Sequence, residues 1–139
     1  MAVYTERIDI STKGFTDIIN ITKKVQGFVL KNKCREGQLL VFIDGSTAAI
    51  STIEYEPGLL KDLPEFLNLI IPMDKNYKHD QTWHDGNGYA HLRSTLIGTS
   101  FTAPVLDGKI VLGTWQQIIL IDFDNGPRQR HVILQFTGN

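Results

Sequence analysis

The chain has 139 residues, 42% of them hydrophobic and 21% charged, which is the size and composition of one globular domain spanning residues 1–139. The 14 basic and 15 acidic residues give a net charge of −1, which argues against a nucleic-acid partner or attraction to an anionic membrane. No apolar run has membrane-spanning length, nothing resembles a signal peptide, and the single cysteine, Cys34, cannot form an internal disulfide, so we expect a cytoplasmic protein.

The first third of the chain changes its hydrophobic period. Residues 3–11 alternate between two faces, which predicts a strand. Apolar residues recur at spacings of three and four over residues 18–30, which predicts an amphipathic helix. Asn20 or Thr22 could cap the start of this helix, and Gly37 is expected to follow its end.

The middle of the chain predicts a strand pair and a long helix. The short apolar run 38–43 predicts a buried strand, and the β-branched segment 48–55 predicts a second one. A turn at 44–46 makes these two strands a plausible hairpin. Residues 57–70 open with a proline and carry leucines on one face, which predicts a helix. Residues 89–97 could form a third, short helix.

The last third of the chain is predicted to form strands joined by tight turns. Residues 101–105 predict a strand, and Asp107–Gly108 is a strong hairpin signal before the strand 109–112. The apolar segment 116–123 and the alternating segment 128–137 predict two more strands. The sum is an α+β domain, a seven-stranded β-sandwich of antiparallel sheets with two or three helices packed on it.

The most informative feature is a cluster of histidines in one short stretch. Three of the four histidines fall within residues 77–91: His79, His84 and His91. Histidine is the commonest metal ligand and can transfer protons near neutral pH. Zinc or another divalent ion accepts imidazoles together with a carboxylate. The oxygen candidates are Asp80, Asp85 and Glu54. Solvated loop histidines that hold the backbone are the alternative interpretation.

Two further groups of polar residues could carry chemistry. Glu54 and Glu56 share one face at a strand end, where they could hold a cation or divide into acid and base. A polar strand end without a function explains them equally. Ser46 and Thr47 could bind phosphate through their hydroxyls and loop amides, although turn formation alone also accounts for them.

Two later motifs also allow either a functional or a purely structural interpretation. Thr114, Trp115 and Gln116 follow a glycine that could allow close backbone approach, or they form a bulge whose tryptophan fills the core. Arg128 and Arg130 alternate on one strand face and could hold phosphate. Exposed arginines of this kind often hold nothing.

Taken in order, these segments resemble the YjbQ-like family, also called the secondary thiamine-phosphate synthase family. The resemblance covers nearly the whole chain, and the combination of Gly-Thr-Trp-Gln-Gln with Tyr-x-His and Ala-His-Leu is specific. Its anchors are the segments 46–50, 77–79, 86–93, 104–108, 113–117 and 123–128.

The resemblance implies a seven-stranded β-sandwich that assembles as a homotrimer and has weak thiamine-phosphate synthase activity. That reaction joins a pyrimidine pyrophosphate to a thiazole phosphate and expels pyrophosphate. His79 and His91 would bind a divalent ion, zinc or magnesium, or act on the leaving group together with Glu54. Arg93 and Arg128 would offset its charge. The other candidate substrate contacts are Ser46, Thr47, Asn87, Thr114, Trp115 and Gln116.

One departure from the family pattern affects the metal prediction. Many members carry Pro-His-Thr-Thr where this chain has residues 44–47, so Gly45 replaces a histidine. If that histidine ligates a metal in other members, this chain must use His84, Glu54 or water instead. With His84 in that role, the candidate ligands are His79, His91 and His84. The alternative function is a non-catalytic homotrimeric module that binds a metal or a phosphorylated metabolite.

Overall fold

Eight strands and four helices follow one another in the structure, a computed structural model that describes residues 1–139. In chain order they are β1 (Ala2–Thr12), β2 (Asp17–Asn20), α1 (Thr22–Lys31), β3 (Gly37–Ile43), β4 (Ala48–Glu54), α2 (Pro57–Ile70), α3 (Lys78–Trp83), α4 (Gly88–Ile97), β5 (Ser100–Leu106), β6 (Lys109–Ile110), β7 (Gln116–Asp122) and β8 (Arg128–Gly138). None of the four helices combines the length and the apolar character that crossing a bilayer requires.

The strands form two antiparallel sheets, which confirms the predicted β-sandwich with packed helices. One sheet has five strands in the order β1-β8-β3-β5-β6, and the other has three in the order β2-β7-β4. β8 lies between β1 and β3 and pairs with β1 along its whole length, from Ala2 with Gly138 to Thr12 with Arg128. The alternating sequence of both strands fits this arrangement, because only one face of the sheet is buried.

The three-stranded sheet is covered on both faces. On one side Ile118 and Leu120 of β7 join the core shared with the five-stranded sheet and α1. On the other side Ile119 and Ile121 pack with Leu67 of α2 and with the start of α4. This double burial explains why β7 reads as an unbroken apolar run.

Several local predictions are confirmed. α2 begins at its proline, and the carboxylate of Glu56 accepts the backbone N–H groups of Gly58 (2.9 Å) and Leu59. The second glutamate of the Glu54–Glu56 pair is therefore a helix cap. Asp107 and Gly108 have φ values of 54° and 77°, as a two-residue hairpin turn between β5 and β6 requires.

The helix predicted over 18–30 is wrong in its first turn. Asp17–Asn20 form β2, in which Ile18 pairs with Ile121, and the helix begins only at Thr22. Because the apolar residues before Thr22 fit a half-buried strand as well as a helix, period alone could not separate the two. The helix also ends at Lys31, and Gly37 begins β3 instead of ending α1.

The predicted hairpin of β3 and β4 is also wrong. β3 pairs with β5 and β8 in one sheet, whereas β4 pairs with β7 in the other. Residues 44–47 therefore cross from one layer of the sandwich to the next. Two elements were not predicted. β2 is a strand in addition to the seven expected, and the six-residue α3 lies in the histidine stretch, where a loop was expected.

Candidate functional site

The histidine stretch folds into two short helices joined by a tight connection. α3 ends at Trp83 and is capped by His84, whose φ of 59° is left-handed, and α4 begins at Gly88. The carboxylate of Asp80 accepts the backbone N–H of Gly88 at 3.0 Å and ties the two helices together. A side chain at Gly88 would place its Cβ 2.6 Å from the Cβ of Tyr77, so only glycine permits this approach.

This connection brings the rings of His79 on α3 and His91 on α4 into contact. Their ring centroids are 4.3 Å apart, with the planes tilted by 49°. His79 Nε2 lies 3.0 Å from Asn87 Oδ1 and 3.1 Å from Asp85 Oδ1. Burial lowers the pKa of His91 and the neighbouring His79 lowers it further, although Asp85 and other groups act in the opposite direction. His91 is therefore mainly neutral at pH 7.

Asp124, just beyond β7, connects the histidines to the rest of the site. Its Oδ1 accepts hydrogen bonds from Asn87 Nδ2 (3.1 Å) and from the backbone N–H of Asn125 (2.8 Å). Its Oδ2 accepts from Thr47 Oγ1 and Arg128 Nε, both at 3.1 Å. Burial alone would raise the pKa of Asp124, but these hydrogen bonds hold it below the usual value, so the carboxylate is ionised.

A buried ion pair between Arg130 and Asp122 lies next to Asp124 and joins the two sheets. Arg130 on β8 donates from Nε and Nη2 to the two oxygens of Asp122 on β7, at 2.7 and 2.8 Å. The Asp122 side chain is fully buried and also accepts from Thr12 Oγ1 at 2.5 Å. Arg130 Nη2 further donates to Thr47 Oγ1 at 2.7 Å. Burial would raise the pKa of Asp122, yet these donors hold it below its usual value.

Three adjoining cavities share His91. One of about 400 Å³ is lined by Lys75 and Lys78 as well as by the two histidines. A second of about 400 Å³ extends from Ser46 to Arg128. A third of about 260 Å³ lies between Ser46 and the end of α4. We call this composite opening the histidine cleft. Six of the predicted site residues line it: Ser46, Thr47, His79, Asn87, His91 and Arg128.

Other predicted site residues lie at the opposite end of the three-stranded sheet. Three of them line a separate cavity of about 440 Å³: Glu54, Thr114 and Trp115. Gln116 donates to Thr52 Oγ1 at 3.1 Å and accepts from the Gly113 N–H at 3.0 Å. Since Glu54 pairs with Gln116 whereas Ala48 pairs with Asp122, the two groups are separated by the length of β4, about 20 Å.

Arg93 lies apart from the histidine cleft although it is only two residues from His91. Successive helical residues are 100° apart, so positions two apart lie on nearly opposite sides of a helix. Arg93 is buried, donates to the Ile71 carbonyl from Nε and Nη2 (3.2 and 2.8 Å), and donates to Thr16 Oγ1 at 2.9 Å. These bonds give it a structural role in anchoring α4.

The three-histidine metal set predicted from the sequence does not come together. The one group of three potential ligands whose donor atoms all lie within 4.8 Å of one another is His79, Asp80 and Asp85. His84, at the exposed C-terminal end of α3, lines none of the cavities around His91. His91 contacts His79 but is not part of the three-ligand group.

Sequence reasoning missed two central members of the site, Asp122 and Asp124. The sequence pattern assigns no chemistry to Asp122 or Asp124, and it offers Arg130 only as a phosphate ligand or as an exposed arginine without a partner. A signal was present in the alternation of Asp122 and Asp124 at the end of a buried strand, since buried carboxylates require partners of opposite charge. The facing alternation of Arg128 and Arg130 supplies those partners.

Comparison with known proteins gives a consistent result. The family model described as UPF0047 protein YjbQ-like matches residues 6–139. A UPF0047 protein of Archaeoglobus fulgidus is 42% identical over 128 residues, which cover 92% of this chain and 97% of the relative. The crystal structure of a YbjQ-like protein of unknown function from Sulfolobus solfataricus superposes with a TM-score of 0.93 at 34% identity and covers 99% of each chain. An uncharacterised yjbq/upf0047 family protein of Clostridium acetobutylicum gives a TM-score of 0.87 at 32% identity over 95% of this chain and 99% of that one.

Proposed function

This chain belongs to the YjbQ-like UPF0047 family, and we propose that it binds a small phosphorylated molecule in the histidine cleft and catalyses displacement of a pyrophosphate group there. The reaction class is the one that the family resemblance implies: joining a pyrimidine pyrophosphate to a thiazole phosphate with release of pyrophosphate. The coarser part of this proposal, an anion-binding cleft with a histidine pair, is argued from the residues themselves.

The observation that carries the proposal is the placement of cations around the histidine pair. Lys75 and Lys78 line one of the cavities that share His91, and the half-exposed Arg128 lines another. The nearby carboxylate of Asp124 already accepts four hydrogen bonds, so it does not leave an unpartnered anion that would repel phosphate. Lys75, Lys78 and Arg128 therefore offer charged donors to a phosphate oxygen in the cleft.

The chemistry requires little beyond charge stabilisation. When the carbon–oxygen bond to pyrophosphate breaks, the leaving group takes the electron pair, and its negative charge grows in the transition state. Arg128 and the two lysines would stabilise that charge, which lowers the barrier. His91, which lines all three cavities of the cleft, would donate a hydrogen bond to the departing oxygen. Asn87 and the hydroxyls of Ser46 and Thr47 would orient the substrate.

Binding of inorganic pyrophosphate tests the proposal first. Calorimetric titration of protein purified without a histidine tag should give saturable binding. Arg128→Gln should weaken it about tenfold or more, because a hydrogen bond between charged groups contributes roughly 1.5–3 kcal/mol. The matched control is Arg7→Gln, an exposed arginine on β1, which should leave the affinity unchanged. Equal effects of the two substitutions, or no binding at all, would contradict the proposal.

Turnover is tested separately from binding. The protein is incubated with the pyrimidine pyrophosphate and the thiazole phosphate, and the condensed product and released pyrophosphate are measured by mass spectrometry. Product formation that is lost in His91→Gln supports catalysis. Saturable binding without product would instead favour the non-catalytic module that binds a phosphorylated metabolite.

A divalent ion in the cleft is a second proposal, favoured by the grouping of His79, Asp80 and Asp85. A mixture of one imidazole and two carboxylates suits zinc better than magnesium, which prefers oxygen ligands. The ion would supply positive charge near a phosphate. Elemental analysis of untagged protein beside a His79→Ala, His91→Ala double variant tests this: stoichiometric zinc in the wild type only would support it, and no zinc in either would refute it.

We also propose that the chain assembles as a homotrimer, as the family resemblance implies. Exposed apolar side chains on α2 and α4 support self-association, since a soluble monomer seldom leaves so many uncovered. The most exposed of them are Phe66, Leu69, Ile70, Leu92 and Leu96. Sedimentation equilibrium should give three times the 15.7 kDa chain mass, and Leu69→Lys should shift the distribution towards smaller species if this face is the contact.

A further inference from the structure

The orientation of the Asn87 side-chain amide is fixed by its hydrogen-bond partners, Asp124 at one end and His79 at the other. The ionised carboxylate of Asp124 can only accept hydrogen bonds, so the atom of Asn87 that faces it at 3.1 Å must be the donor Nδ2. The amide oxygen Oδ1 consequently faces His79 Nε2 at 3.0 Å. Because Asn87 is almost fully buried, water offers no alternative set of partners.

The partners of His79 Nε2 then decide where the ring carries its hydrogen. The amide oxygen of Asn87 is an acceptor, and so is the carboxylate oxygen of Asp85 at 3.1 Å. A nitrogen between two acceptors must donate, which places the hydrogen on Nε2. A neutral imidazole has one N–H and one lone pair, so the lone pair lies on Nδ1.

We infer that Asn87 and Asp124 are positioning residues that keep the ring hydrogen of His79 on Nε2, so that the lone pair on Nδ1 accepts a hydrogen bond from a protonated oxygen of the bound phosphorylated molecule. The functional half of this inference rests on the proposed function, whereas the tautomer does not. Asp124 has a second positioning role, because its other oxygen accepts from Arg128 Nε. One carboxylate therefore fixes the histidine and the cationic group relative to each other.

The tautomer can be read directly by NMR. Long-range proton–nitrogen correlation spectra of uniformly ¹⁵N-labelled protein, treated with EDTA and held near pH 8, distinguish protonated from unprotonated ring nitrogens. His79 should show a protonated Nε2 and an unprotonated Nδ1. His131 is an internal control with the opposite expectation, since its Nδ1 lies 2.6 Å from Asp9 Oδ1. A protonated Nδ1 on neutral His79 would overturn the inference.

Variants separate the contributions of the two acceptors. Asp85→Ala alone should keep His79 as a single Nε2–H form, because Asn87 still holds it. Asp85→Ala combined with Asn87→Leu should move the two ring nitrogen shifts towards each other, as in an imidazole that populates both tautomers. Asp85→Ala combined with Asp124→Leu should do the same, because nothing then orients the amide. Unchanged shifts in the Asn87 combination would overturn the role of Asn87, and unchanged shifts in the Asp124 combination would overturn that of Asp124.

Addition of pyrophosphate tests the functional half. The Nδ1 resonance of His79 should shift more than the Nε2 resonance, while both His131 resonances stay in place. A larger shift at Nε2 would overturn the assignment of Nδ1. If pyrophosphate does not bind, the proposed function fails, but the tautomer measured in the free protein still decides whether Asn87 and Asp124 position His79.

Discussion

Replacement of Arg130 by methionine is the perturbation whose consequences the structure defines best. It removes the two hydrogen bonds to Asp122 and the one to Thr47, and it leaves the fully buried Asp122 carboxylate with only Thr12 and a backbone N–H as donors. Breaking one side of a buried ion pair typically destabilises a protein by about 3–5 kcal/mol. That loss is a large fraction of the roughly 5–15 kcal/mol by which a domain of this size is stable.

The free energy of unfolding is measured by urea denaturation at pH 7 and at one fixed protein concentration, so that any self-association contributes equally. Lys31→Met is the matched control, because it breaks a surface pair with Glu6 (3.1 Å) in which the lysine side chain is 69% exposed. Such pairs contribute about 0–1 kcal/mol. Replacing both members, Asp122→Leu with Arg130→Met, should recover at least half of the loss, since no buried charge then lacks a partner.

The pH dependence gives a second, independent check on Arg130→Met. In the wild type the pKa of Asp122 is depressed, so its stabilising contribution is present above the unfolded-state pKa and is lost as the pH falls through the folded-state value. Without Arg130, burial dominates and raises the pKa of Asp122, so the variant should gain stability when the pH is lowered from 7 to 5. The difference between the two proteins should therefore shrink on acidification. A loss below about 1 kcal/mol at pH 7, or a difference independent of pH, would show that Arg130 does not stabilise the buried charge of Asp122.

Three further predictions concern the elements that hold the histidine cleft. Gly88→Ala should destabilise the protein by about 1–3 kcal/mol in urea denaturation because a Cβ has no room there, whereas Gly27→Ala, which meets no atom within 4 Å inside α1, should stabilise it by about 0.5–1 kcal/mol. NMR titration should show His91 with a pKa below 6.5. His79→Gln should raise that pKa because the like charge of the neighbouring imidazole is removed, and an unchanged pKa would contradict the electrostatic effect of His79 on His91. Ser94→Ala should lower the unfolding free energy by about 1 kcal/mol through loss of the 2.6 Å hydrogen bond from α4 to the β4 backbone, and a neutral effect would show that the bond contributes nothing.

The fold was largely predictable because its strongest signals are local. The alternation of β1 and β8, the proline before α2 and the Asp107–Gly108 turn each specify a structure within a few residues. The error in strand pairing arose because closeness in sequence does not show which strands pair. Whether β3 pairs with β4 or with β8 depends on which layer each strand joins, and residues 44–47 have the same composition in either arrangement.

The candidate site was predictable only in part, for a related reason. His79 and His91 are close in sequence, so their proximity followed from the histidine spacing. Asp124, which orients the site, is 33 residues further on than His91 in a segment that also fits an ordinary turn. Only the sheet register shows that Asp122 and Asp124 reach the end of β7 nearest the histidines.

The pairing of the first strand with the last has a consequence for how the molecule forms. β1 begins at residue 2 and its partner β8 ends at residue 138, so their contacts close a loop of nearly the whole chain. During synthesis β1 has no partner in its sheet until β8 has left the ribosome, and contacts of such high sequence separation form slowly. Because β8 also carries Arg128 and Arg130, the carboxylates that organise the cleft lack their arginine partners until that same step. Closure of the five-stranded sheet and completion of the ion pairs at the site therefore both depend on β8.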